Sequence, residues 1–377
     1  MAYHKLFSII FALLLVFQVH GSVAYKPKVC YINAIYSLGD SITDTGNLLH
    51  LGLGGSFTPI ANFPYGQTIH KATGRCSDGL LIIDYLAEAL NLPLINPYLE
   101  KDANFDNGVN FAVAGATALE SSTLLQKGIL APYTNASLSV QLDWFKTYLN
   151  SKCTSKDACE KMLDRALITL GEIGGNDYNY AFFEGKQIDE VKNLVPLVVQ
   201  KITNTAKELI EIGAKHIVVP GNFPIGCMPS YLSAFGHNTE DFDDFKCLKS
   251  FNSFAMIHNE KLQASLAQLR ETYPHVQIMY ADYFHAFMHL LEKASLHGFE
   301  KDSLMKACCG AGGKYNFDAT KICGAPGTSV CENPSNHISW DGIHLTQEAY
   351  KVMAKTLISP GGFIIPSYGV QGLWKCY

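Results

Sequence analysis

Four blocks of the 377-residue chain hold side chains that could transfer an acyl group. The first reads Leu38-Gly39-Asp40-Ser41-Ile42-Thr43-Asp44-Thr45-Gly46-Asn47, and the second Asn110-Phe111-Ala112-Val113-Ala114-Gly115-Ala116-Thr117. The third is Gly171-Glu172-Ile173-Gly174-Gly175-Asn176-Asp177, and the last is Trp340-Asp341-Gly342-Ile343-His344. A serine hydroxyl is a poor nucleophile until a base takes its proton, and a histidine base works best when a carboxylate fixes its tautomer. Ser41 supplies the hydroxyl, and Asp341-x-x-His344 offers carboxylate and imidazole from one short turn. Glycine beside Ser41 and at Gly115 lets backbone N–H groups approach a substrate, and Asn176 adds a side-chain amide donor. Together these groups could hold an oxyanion. Taken singly, each block also reads as a capped turn or an ordinary loop; the order of all four carries the signal.

Competing chemistries lack their motifs. There is no Gly-x-Ser-x-Gly nucleophile elbow, and Gly52-Leu53-Gly54-Gly55 does not complete a dinucleotide fingerprint. Phosphate-loop, His-Glu-x-x-His and EF-hand patterns are also missing from the sequence.

The elements that must position these groups alternate. Short apolar runs at Ala34–Leu38, Val109–Ala112, Ala166–Leu170, His216–Pro220 and Val276–Ala281 read as strands. Between and after them, helical spacing runs over Leu80–Leu90, Val140–Leu149, Ile188–Ile212, Phe251–Tyr273 and Gln347–Ile358. Strand–helix alternation of this kind predicts a three-layer α/β/α sandwich around a central parallel sheet. In such sheets ligands bind beyond the carboxyl ends of the strands. Three of the four blocks follow expected strands there.

Composition bounds the remaining possibilities. With 48% hydrophobic and 17% charged residues the chain has the makeup of a folded globular protein. Its formal charge of −5, without basic runs, argues against nucleic-acid binding and a polybasic membrane patch. Lys5, the apolar stretch Leu6 to Val19 and then Ser22-Val23-Ala24 have the form of a secretory signal peptide cut after Ala24. Residues 25–377 are then expected to form one domain, in the secretory pathway, extracellular space or vacuole, with no stable membrane insertion. Entry into that pathway permits disulfides. Of 11 cysteines, Cys153/Cys159 and the cluster Cys308, Cys309, Cys323, Cys331 look like loop staples, and the odd count leaves at least one thiol over. The cluster lacks the paired Cys-x-x-Cys spacing of zinc sites, so no metal or other cofactor is expected. Asn135-Ala136-Ser137 is a glycosylation sequon.

The four ordered blocks resemble those of the plant GDSL esterase/lipases, a branch of the SGNH hydrolases, over about Tyr31 to Ile358. The resemblance implies Ser41 as nucleophile, His344 as base and Asp341 as its partner. It also implies an oxyanion hole made by the Ser41 N–H, the Gly115 N–H and the Asn176 amide. Gly74-Arg75-Cys76-Ser77-Asp78-Gly79, Pro220-Gly221-Asn222-Phe223-Pro224-Ile225-Gly226-Cys227 and Cys308-Cys309-Gly310 are similar to secondary signatures of the family. Gly171 to Phe183 and Asn110 to Leu119 are most similar to the subgroup containing acetylajmalan and sinapine esterases, which act on esters of specialised metabolites. Three positions depart from the pattern: Ile42, Leu80 and Leu345. No catalytic group is lost among them. The expected activity is therefore hydrolysis of a small-molecule ester. The same residues would serve acyl transfer to an alcohol, action on longer acyl chains, or a non-catalytic binding protein, and the sequence does not separate these.

Overall fold

The computed structural model describes residues 31–52 and 55–367. The expected signal peptide, Cys30 and Cys376 lie outside the described residues. Five buried strands form the centre: β1 (Ala34–Leu38), β2 (Gly108–Asn110), β3 (Ala166–Leu170), β4 (His216–Pro220) and β5 (Gln277–Ala281). They pair in parallel in the order β2-β1-β3-β4-β5. Being covered on both faces, such strands read as continuous apolar runs, which is why AIYSL and ALITL were legible. Their polar residues satisfy each other: Thr169 Oγ1 donates to Ser37 Oγ at 2.8 Å across paired positions.

Two features depart from the expected sheet. A two-residue hairpin, β6 (Cys309–Gly310) with β7 (Ser329–Val330), stands apart, and β8 (Ile364–Ile365) adds an antiparallel sixth strand beside β5. The sheet is thus mostly, not wholly, parallel. Two-residue strands carry too short a pattern to stand out in a sequence.

Helices flank the sheet in two groups. In one, α1 (Ile82–Ala89) and α7 (Tyr283–Glu292) pack against α8 (Gln347–Ile358). In the other, α2 (Leu138–Lys152) and α6 (Lys249–Thr272) pack against α4 (Val195–Ile212). Helix α4 buries Val195, Val198, Val199, Ile202, Ala206 and Leu209, a stripe at helical spacing. The expected helix from Ile188 is interrupted by a tighter turn at Lys192–Leu194, next to the Pro196 that opens α4.

The remaining helices bear directly on the candidate site. Helix α3 (Gly175–Phe183) starts inside the third block, and α5 (Pro229–Phe235) follows the loop after β4. Helix α3 docks on α6 through Tyr178 against Phe254, ring centroids 4.9 Å apart, and through Phe182 against Phe251 and Phe254. The Tyr178 hydroxyl pairs with His258 Nδ1 at 2.8 Å, and burial pushes His258 down to about 4.

That histidine makes acid stability predictable. The unfolded chain protonates His258 near its ordinary value of 6.5, whereas the folded protein takes up the proton only near 4. Its contribution is therefore full above pH 6.5 and declines as the pH falls to 4. The total is about 3 kcal/mol at ~1.4 kcal/mol per pH unit. Urea unfolding of wild type and His258→Gln between these pH values should show the wild type losing more stability. Parallel pH profiles would refute the assignment.

Candidate active site

The first block is a knot of backbone hydrogen bonds around one hydroxyl turned to the cleft. Gly39 sits at φ +155°, and a Cβ there would lie 2.4 Å from Thr43 Oγ1. Both sides of Gly39 are gripped by Gln141 of α2: Oε1 accepts the Gly39 N–H and Nε2 donates to the Gly39 carbonyl, each at 2.8 Å. Asp44 accepts backbone N–H groups from Gly46, Asn47, Leu48 and, in the second block, Ala114. Asn47 Nδ2 donates to the carbonyls of Asn110 and Ala112, both at 2.8 Å. Asp44, Asn47 and Asn110, whose amide donates to the Thr43 carbonyl, thus tie the end of β1 to the end of β2, and Ser41 is left facing the cleft.

Ser41 meets the fourth block there. His344 Nε2 lies 2.8 Å from Ser41 Oγ, and His344 Nδ1 lies 2.7 Å from Asp341 Oδ2. All three side chains are more than nine-tenths buried. Asp341 Oδ1 accepts the N–H groups of Ile343 and His344 at 3.0 and 2.8 Å, closing the turn. Burial alone would raise Asp341, but the His344 charge and these hydrogen bonds hold it below the usual carboxylate value.

The Asp–His turn is braced from two sides. From one side, Cys308 N–H and Cys309 N–H donate to the carbonyls of Ser339 and Trp340. The disulfides Cys308–Cys331 and Cys309–Cys323 close the segment that carries Phe317, which packs where a Gly342 side chain would be. From the other, Ser77 Oγ donates to the Leu345 carbonyl and Asp78 Oδ1 accepts the Gln347 N–H that opens α8. The Ser-Asp-Gly signature is therefore a clamp on the segment that joins His344 to α8.

The third block reaches the same cleft. Asp177 accepts the N–H groups of Ala118 and Leu119, which sets α3 against the second block and brings Asn176 beside Gly115. Burial pushes Asp177 up to about 7. Gly115 is at φ +80° with Tyr133 Cβ 2.9 Å from where its own Cβ would be, so only glycine fits without displacement. Asn176 Nδ2 donates to the Ala116 carbonyl at 3.0 Å and to Asp40 Oδ2 at 3.2 Å. Asp40 is raised by burial and by Glu172, a second buried carboxyl beside it that is itself raised by burial.

A cavity of about 290 Å³ opens on Ser41 and His344, walled by Tyr133, Phe183, Phe223, Tyr231 and Phe317. No Lys or Arg is among the described residues that line it. Cys308, Cys331 and His337 form the metal-type cluster among the described residues, but the two sulfurs are joined to each other. Cys153–Cys159 is bridged as the spacing suggested, and Cys76 is free and buried. Cys227–Cys247 is a further bridge that spacing did not single out, although Cys227 ends one of the secondary signatures.

Sequence reasoning named Ser41, Gly115, Asn176, Asp341 and His344; the fold brings four of them to this one cleft and sets Asp341 behind His344. It missed Gln141, Glu172 and Tyr65, whose hydroxyl donates to Asp341 Oδ2 at 2.8 Å. Only Glu172 carried a signal, as the acid in the third block.

Known proteins agree with this architecture. Residues 35–357 match the family described as GDSL-like Lipase/Acylhydrolase. A GDSL esterase/lipase of Arabidopsis thaliana is 46% identical, over 94% of this chain and 91% of its own. Acetylajmalan esterase of Rauvolfia serpentina is 43% identical over 96% and 92% of the two chains. Sinapine esterase of Brassica napus is 45% identical over 93% and 90%. Relatives named as esterases that align with nearly the whole chain, and a family match spanning all four blocks, mean that this protein belongs to the GDSL-like lipase/acylhydrolase family and is a carboxylic ester hydrolase.

Proposed function

We propose that the protein is a secreted serine esterase that cleaves an acetyl or other small or aromatic acyl ester of a plant specialised metabolite, such as an alkaloid. The observation that carries this reading is the unbroken Ser41–His344–Asp341 hydrogen-bond chain at the mouth of an aromatic-walled cavity. His344 Nε2 takes the Ser41 proton as Oγ attacks the ester carbonyl. The same proton then leaves with the alcohol, and water, deprotonated in turn by His344, releases the acid from the acyl-serine. The Ser41 and Gly115 N–H groups and the Asn176 amide donate to the oxyanion. For Asn176 this exchanges its 3.2 Å bond to Asp40, a carboxyl raised by burial and by the neighbouring Glu172. His344, Asp341 and Ser41 need no metal or organic cofactor for these steps.

The substrate class rests on the cavity and on the names of two relatives. At about 290 Å³ the cavity is at the small end of ligand sites, and its rings suit planar or compact groups. We also read residues 1–24 as a removable leader, residues 25–377 as one hydrolase domain, and exposed Asn135 as a glycan acceptor.

The test is hydrolysis of p-nitrophenyl acetate, butyrate and palmitate, acetylated alkaloids and sinapoylcholine, with and without an alcohol acceptor. Short and aromatic esters should be cleaved with kcat/KM at least tenfold above palmitate. Preference for palmitate would replace the reading with a lipase, and acceptor-dependent ester formation would replace it with an acyltransferase.

A further inference from the structure

We propose that Tyr65 is a positioning residue for the catalytic aspartate, holding Asp341 Oδ2 toward His344 and setting how strongly that carboxylate attracts the imidazole proton. The proposal rests on the reading of Ser41, His344 and Asp341 as a triad.

The geometry behind it is direct. Tyr65 is almost fully buried, and its O–H donates at 2.8 Å to Oδ2, the same oxygen that receives His344 Nδ1 at 2.7 Å. With the Ile343 and His344 N–H groups on Oδ1, the carboxylate accepts four hydrogen bonds. Two of them come from the turn itself and one from the base. Tyr65 is the sole donor of the four from a distant part of the chain, and it fixes rotation of the carboxyl group about Cβ–Cγ. Its ring is held edge-on to Trp340, centroids 5.9 Å apart, and Trp340 immediately precedes Asp341. The segment bearing Tyr65 is anchored in turn, since the Gly66 and Thr68 N–H groups donate to the carbonyls of Ser77 and Asp78. The clamp that grips Leu345 and Gln347 thus also carries the residue that grips Asp341.

The electrostatic consequence has a definite sign. A hydrogen bond donated to a carboxylate disperses its charge. Removing it leaves more charge facing His344, so the base keeps its proton to higher pH and the acid limb of the rate profile moves up. The other titratable groups facing this carboxylate are Cys76 and Tyr350, both held protonated by burial. Across the serine stand Asp40 and Glu172, raised chiefly by burial.

Tyr65→Phe keeps the ring on Trp340 and removes only the donor. We expect kcat to fall about tenfold, the size of one hydrogen bond to a charged group, with KM unchanged. The acid limb of kcat should move up by about half a pH unit or more. In an Asp341→Asn background the same change should have no further effect on kcat, because coupled residues are non-additive. A lowered Tm with unaltered kcat and pH profile, or equal losses in both backgrounds, would overturn the proposal and leave Tyr65 a packing residue. If Asp341→Asn itself keeps wild-type activity, the triad reading fails instead.

Discussion

Ser41→Ala is expected to lower kcat/KM for ester hydrolysis by a factor on the order of 10⁴ to 10⁶, with Tm within a few degrees of wild type. The substitution removes one hydroxyl that bonds His344 Nε2 and touches none of the contacts that hold the first block together. Those contacts run through Gly39, Asp44 and Asn47, so the fold has little reason to respond. His344→Ala should cost about as much. The double variant should cost no more than either, because attack and proton removal are one event and neither group acts without the other. Steady-state kinetics on p-nitrophenyl acetate with all three variants checks this. A fluorophosphonate should label wild type at Ser41 and leave Ser41→Ala unlabelled. Residual activity within tenfold of wild type, or additive losses, would move the nucleophile elsewhere.

The central strands and the long helices were legible because burial on both faces writes itself as apolar runs and helical stripes. Ala34–Leu38 and Val198–Leu209 are clear instances. Helix α3 was hidden for the opposite reason. Gly175, Asn176, Asp177 and Asn179 are weak helix formers, and α3 is held by aromatic packing of Tyr178 and Phe182 on α6, a tertiary effect with no local pattern. Helix α7 is apolar on most of its length, which a periodicity reading does not distinguish from a buried run.

The candidate site divides along the same line. Groups proposed to act by their own chemistry stood out as residue types, Ser41 and Asn176 after strands and Asp341 and His344 before the last long helix, so the sequence alone named them. Groups that act by holding others did not. Gln141 lies 102 residues from the glycine it grips, and Tyr65 lies 276 residues from Asp341. A glutamine on a helix and a tyrosine in a loop carry no mark of such partners. In the first and third blocks Asp44 and Asp177 spend their oxygens on backbone N–H groups, and Asn47 spends its amide on carbonyls. Parts of the chain far apart in sequence must meet at one cleft, and buried loop backbone must be hydrogen-bonded. Those two demands account for most of the polar residues in these blocks.

Asp341→Asn is expected to cost on the order of 10⁴ in kcat, close to the loss of the serine itself, although the aspartate never touches the substrate. The reason lies in its four donors. A carboxylate can accept on both oxygens, from Ile343 and His344 N–H on one and from Tyr65 O–H and His344 Nδ1 on the other. An amide accepts on one side only. If its NH₂ replaces Oδ1, it confronts the two backbone N–H groups that form the turn, and the turn must open. If its NH₂ replaces Oδ2, it donates to His344 Nδ1. The imidazole then carries its proton on Nε2, pointed at Ser41 Oγ, where it cannot accept the serine proton. The second arrangement disturbs the backbone least, so the variant should fold, show a modest fall in Tm, and bind substrate with near-normal KM. Single-turnover kinetics would place the defect in acylation. Activity within tenfold of wild type would mean that His344 does not need Asp341 to hold its tautomer, and the triad would reduce to a serine–histidine pair.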